Sequence, residues 1–161
     1  MTRQLGNGIY EYGGVKFLLS TEISCIYSDQ GKTRRIHLVI LLPSFDAVAK
    51  LQTELGRRKV NMASDGRPIT GISAKNLSEI ILEIEKKAII VPAHIWTPWF
   101  SLFGSESGYD FFKECFGSFS DQIYAIETGL SSEPEMNWRV ADLDSKAILS
   151  FSDAHSMPNL G

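Results

Sequence analysis

The sequence predicts an α/β domain, and three observations carry that reading. Apolar, β-branched runs alternate with amphipathic stretches of helical period through the second half of the chain. The amphipathic stretches open at residues that start helices, Ser44, Ser73 and Pro134. The chain has 161 residues, 43% of them hydrophobic, enough for one domain, 1–161, with a real core. Such alternation means a largely parallel sheet or part of a β/α barrel.

Residues 1–15 are polar and glycine-rich and make a poorly defined start. Residues 16–27 (KFLLSTEISCIY) read as a strand with Glu22 in its middle or near its end. Residues 28–33 hold Gly31 and read as a turn. Residues 34–42 (RRIHLVILL) read as a second strand, where His37 is the polar residue inside the apolar section. The two strands form a hairpin or lie as neighbours in a larger sheet. Pro43 ends the strand, and Ser44 caps a helix to about residue 56 with Phe45, Val48, Leu51 and Leu55 at helical spacing. Arg57-Arg58-Lys59 suits a helix C-terminus, or a phosphate contact. Asp65-Gly66-Arg67-Pro68 is a turn signal. A second helix over 74–87 turns Leu77, Ile80, Ile81 and Ile84 inward. Residues 88–95 make a buried strand, 96–108 a long loop, 109–116 a short helix closed by Gly117, and 122–127 a strand. A helix over 134–142 and a strand over 146–151 follow, and that strand runs into Ser152-Asp153-Ala154-His155.

Charged residues are 22% of the chain and the net charge is −3, which argues against a protein held to nucleic acid mainly by a basic surface. A nuclease whose positive charge comes from bound metal or from another domain stays open. Cys25 and Cys115 are far apart and form no CxxC pair, as in a reduced, cytoplasmic chain. The N-terminus lacks the apolar core of a signal peptide, and no apolar run approaches the ~18 residues that span a bilayer. The expectation is a soluble protein with no membrane partner.

The chemistry concentrates at four places read as strand ends: Glu22, His37, His94, and the pair Asp153 with His155. Imidazole nitrogen with carboxylate oxygen suits zinc or manganese. In Asp-x-His on an extended backbone both side chains point the same way and can reach one centre. A carboxylate such as Glu22 can bridge two metals. Each residue alone has an ordinary structural alternative: a core histidine, or an edge glutamate. All three histidines with carboxylate partners favour a metal site.

The order Thr21-Glu22-Ile23-Ser24, His37, Pro92-Ala93-His94 and Ser152-Asp153-Ala154-His155-Ser156 resembles the PHP (polymerase and histidinol phosphatase) superfamily. The closer resemblance is to the endonuclease Q family, through TEISCIYS at 21–28, ASDGRP at 63–68, PAHIWTPWF at 92–100 and ETGLSSEPEMNWR at 127–139. It covers nearly the whole chain from about residue 15. The resemblance implies a distorted β/α barrel with up to three divalent metals (zinc, manganese or magnesium). It also implies cleavage of DNA on the 5′ side of deaminated bases or abasic sites. Carried over residue by residue, Glu22 becomes the bridging carboxylate, and His37, His94, Asp153 and His155 become metal ligands. Glu22, His94 and Asp153 are then the residues nearest the chemistry.

The family pattern begins with a His-x-His on the first strand, and this chain has no histidine before His37. The expectation is therefore a partial PHP-type barrel of about five to six strands, without the N-terminal strands or the C-terminal end. Its unclosed edges could pair between copies of the chain. Trp96, Trp99, Phe100 and Phe103 could stack on a flipped base or fill the core. Glu127, Thr128, Ser131, Asn137, Trp138 and Arg139 could contact a base edge or phosphate, or cap and support neighbouring elements. A phosphatase acting on a small phosphomonoester and a non-catalytic scaffold are the alternatives.

Overall fold

The computed structural model describes residues 3–6 and 8–159. Its centre is a long hairpin, β3 (Val15–Asp29) and β4 (Lys32–Leu42), paired antiparallel from Leu19↔Leu42 to Asp29↔Lys32. Gln30 and Gly31 make the turn, both at positive φ (51° and 76°). That is the pairing a tight two-residue hairpin needs to match strand twist. β6 (Ile89–Pro92) adds antiparallel to β4, and the two-residue β5 (Ile69–Thr70) adds parallel to β3.

Alternation along the hairpin separates two faces. Ile23, Cys25, Ile36, Leu38, Ile40 and Leu42 point to one side and are buried in a cluster with Leu51, Leu55, Leu77 and Ile81. Those last four come from helices α1 (Phe45–Arg57) and α2 (Ala74–Ile84). Ser44 and Ser73 cap these helices, accepting from the backbone N–H of Ala47 and Asn76. The opposite face carries Glu22, Ser24 and His37.

Beyond β6 the chain loops to a short α3 (Phe112–Phe116) and to β7 (Ala125–Thr128). It then passes α4 (Pro134–Asn137) to β8 (Ala147–Ser150), which pairs parallel with β7. The Ile95 N–H donates to Glu127 O at 3.1 Å and ties β7 to the segment after β6.

Three expectations change. The larger sheet is mainly antiparallel where the alternation predicted a largely parallel one, because the expected turn at 28–33 makes β3 and β4 a hairpin; only β3·β5 and β7·β8 are parallel. The described strands form two sheets with no closed barrel, where a partial, unclosed barrel was expected. The glycine-rich start is a meander, β1 (Arg3–Gly6) and β2 (Ile9–Tyr12), turning into β3 at Gly13-Gly14. Met1, Thr2 and Asn7 of that start lie outside the described residues. Phe45, expected inside α1, is exposed and lies edge-on to buried Tyr10 at 4.9 Å. Among the described residues no helix is long and apolar enough to cross a membrane.

Candidate metal centre

The site grows from the pairing of β3 and β4. Ser24 and His37 are direct cross-strand partners, so their side chains share a face. Ser24 Oγ lies 3.1 Å from His37 Nε2. Glu22, two residues back along β3, points the same way, and its Oε1 is 3.0 Å from His37 Nδ1. His94 follows β6 with φ at +32°, and its Nε2 comes 3.3 Å from His37 Nδ1. Glu127 Oε2 accepts the His94 backbone N–H at 2.7 Å, and Thr97 Oγ1 sits 3.0 Å from His94 Nδ1. One ligand atom from each of Glu22, His37 and His94 lies within 4.8 Å of the others.

The histidines are buried (8% and 6% exposed), so the cluster sits at the wall of the fold. Burial raises the Glu22 carboxyl, but the hydrogen bond and charge of His37, with Arg67 and His94 nearby, bring it below its usual range. Burial, then repulsion from His37, lowers the His94 imidazole and favours its neutral form. Burial raises Glu127, against the bond it accepts from His94. A carboxylate beside two imidazole nitrogens, one ring held neutral, is a donor set that fits zinc or manganese. Ser24 and Thr97 each occupy the far nitrogen of a ring, which fixes ring orientation as partners of metal-bound histidines do.

His37 and His94 form one side of a cavity of about 400 Å³, lined also by Arg67, Thr97, Trp99, Phe100, Asp153 and His155, and Glu22 lines a second cavity that shares Arg67, Asp153 and His155. Among the described residues six non-glycine positions have positive φ, and four of them (His94, Phe100, Leu130 and Asp153) line the first cavity. Backbone strain concentrated at one cavity is a mark of a functional site.

Several site expectations shift. Glu22 and His37 lie inside their strands, since facing side chains on an antiparallel pair converge in mid-sheet; only His94 stands at a strand end. Asp153 has φ of +48°, so Asp153 and His155 do not share an extended face. His155 Nδ1 turns back to the Asp153 carbonyl at 2.7 Å. Both line the cavity but stand outside the three-residue group, and His155 meets it through Arg67, at 3.4 Å.

The substrate candidates divide. Asn137, 1% exposed, donates to Thr128 Oγ1 and Glu133 O and accepts from Trp96 Nε1 at 2.9 Å. Trp96 packs on Phe103 at 4.9 Å, and Glu127 is buried behind His94. These four shape the loop from inside, with their polar groups already partnered. Ser131 and Arg139 are exposed but do not line the cavity, unlike neighbouring Leu130. Trp99, 46% exposed, and Phe100 do line it; Phe100 lies 4.7 Å from the His37 ring, and the Arg35 guanidinium stands over Trp99 at 4.8 Å. Sequence reasoning missed Ser24, Thr97 and Arg67 as members of the site. The Glu-x-Ser spacing on a strand was the available signal for Ser24. Arg67 was read as part of a turn and of the resembling ASDGRP motif, with no role at the site.

No family model matches the chain. The uncharacterized protein YqxK of Bacillus subtilis (strain 168) is 29% identical over 164 residues, covering 99% of this chain and 39% of that protein. A lesion-specific endonuclease from Pyrococcus furiosus, PfuEndoQ, has a crystal structure that matches with a TM-score of 0.76 and 30% identity. The match covers 96% of this chain and 35% of the endonuclease. This chain therefore has the fold of one part of an endonuclease Q, and spans well under two thirds of either protein.

Proposed function

We propose that this chain is the metal-binding part of a DNA endonuclease of the endonuclease Q kind, within the PHP superfamily. Its substrate is a phosphodiester on the 5′ side of a deaminated base or an abasic site. The observation that supports this best is the convergence of Glu22, His37 and His94, the two histidines lining a strained cavity that also holds Trp99 and Phe100.

Glu22 would contribute an anionic oxygen, and His37 and His94 ring nitrogens, to a divalent cation site. Asp153 and His155 line the same cavity and extend the donor set toward its mouth. A cation held there would supply Lewis-acid chemistry at a phosphoryl oxygen and would bring the pKa of a bound water toward ~7. Glu127 anchors the strained backbone at His94, so the ring keeps its position. Trp99 and Phe100 offer aromatic surface at the cavity, where an extruded base can stack.

The first test is metal content by plasma mass spectrometry after dialysis of the purified chain against metal-free buffer. Near-stoichiometric zinc or manganese in the wild type, lost in His94→Ala, is expected. A folded wild type that retains and rebinds no metal would overturn the metal reading. Nicking of uracil-containing duplex by a protein of the relatives' full length tests the substrate. Fast turnover of a small phosphomonoester without nicking would instead make it a phosphatase.

A further inference from the structure

Among the described residues, Arg67 is the cation that reaches into the ligand cluster. It stands between a short 3-10 turn, Ser64–Gly66, and β5, with an extended backbone (φ −142°, ψ 155°). The next residue, Pro68, accepts the Ser24 N–H through its carbonyl at 2.9 Å, which fixes the segment alongside β3. The side chain, largely buried, then crosses the face that carries Glu22 and His37. Nη1 hydrogen-bonds Glu22 Oε1 and lies 3.3 Å from His37 Nδ1, while Nη2 is 3.4 Å from His155 Nε2.

These contacts fall on the atoms through which Glu22 and His37 face each other. The Glu22 carboxylate only accepts, so at 3.0 Å it takes the Nδ1 proton of His37, and the guanidinium, which only donates, shares that same Glu22 oxygen while standing 3.3 Å from the ring nitrogen. A metal at this place would need that nitrogen deprotonated and would take the Glu22 oxygen that the guanidinium now holds. Gly66, at φ +72°, precedes Arg67 and gives the segment a pivot.

We propose that Arg67 is a built-in competitor for the divalent cation: guanidinium and metal claim the same Glu22 oxygen and the same space beside His37 Nδ1, so one engages as the other withdraws. The inference rests on reading the cluster as a metal centre. Arg67 pre-sets the ligand geometry and at the same time weakens the site, so that weakly held cations do not load.

The test is manganese binding by isothermal titration calorimetry to the wild type, Arg67→Ala, Arg67→Gln and Arg67→Lys, with the melting temperature of each read with and without metal. Like charges a few ångströms apart repel strongly, so Arg67→Ala and Arg67→Gln should bind manganese about tenfold or more tighter. Arg67→Lys, which keeps the charge, should stay near the wild type. Manganese should also raise the melting temperature more in Arg67→Gln than in the wild type, because tighter binding to the folded state stabilises it more. Equal or weaker binding in both neutral variants, with the wild type still binding, overturns the competition and leaves the metal centre standing. No binding by any of the four overturns both.

Discussion

The two faces of the β3–β4 hairpin are built from the same residues in strict alternation, and they do opposite work. On one, Ile23, Cys25, Ile36, Leu38 and Ile40 are wholly buried under α1 and α2. On the other, Ser24 and His37 meet His94 and Arg67 at a cavity, with Glu22 against His37 and Arg67. A slip of one residue in register would exchange the faces, driving His37 into the core and Leu38 into the site. The apolar face therefore specifies where the polar one stands. It supplies the free energy, and the site face can carry strain, buried charge and half-satisfied donors.

The largest effect should come from the apolar face. Leu38→Ala removes a wholly buried side chain from beneath the helices and should cost about 2–5 kcal/mol by urea unfolding. The protein that remains folded should bind metal with unchanged affinity. A loss below ~1 kcal/mol would mean that the helix face does not govern stability.

His94→Ala probes the other face. It should abolish near-stoichiometric metal while changing unfolding free energy by only about 1 kcal/mol. Unchanged metal with a collapsed melting temperature would make His94 a core residue and erase the distinction between the faces.

The alternation also explains what was legible in the sequence. The hairpin strands, the capped helices and the inward Leu51, Leu55, Leu77 and Ile81 followed from local period and capping, since each depends on residues a few positions apart. The antiparallel direction depended on one turn, Gln30-Gly31, of which only the glycine was noticed. His37 and His94 were found because the chain has only three histidines, and Glu22 because it falls on a strand and in the resembling TEIS motif. Their mid-sheet convergence needed the register, which links residues 57 positions apart. Arg67 was missed because a side chain that enters from a turn has no periodic signature.

Acid should act on the site face before the core. The His94 imidazole titrates below its ordinary 6.5 in the fold, so the unfolded chain binds more protons as pH falls through that value. Folding stability should therefore decline from about pH 6.5 downward. Glu22, also lowered, contributes stability that is present above its ordinary 4.5 and lost as pH falls through its folded value. Unfolding curves from pH 8 to 4, without metal, should show the first decline in the wild type and not in His94→Ala. The same first decline in His94→Ala would assign it elsewhere.

The smallest effect separates holding a ligand from being one. Ser24 touches the cluster only through His37 Nε2, at 3.1 Å, and is itself buried. Ser24→Ala removes that one partner, which should cost about 0.5–1.5 kcal/mol of stability. With its ring less firmly oriented, His37 should bind metal about tenfold more weakly, at the low end for loss of a supporting contact. Ser24→Thr keeps the hydroxyl and should restore most of the affinity. If Ser24→Ala instead empties the site as fully as His94→Ala does, Ser24 is a ligand and the centre extends further along β3 than Glu22, His37 and His94 define.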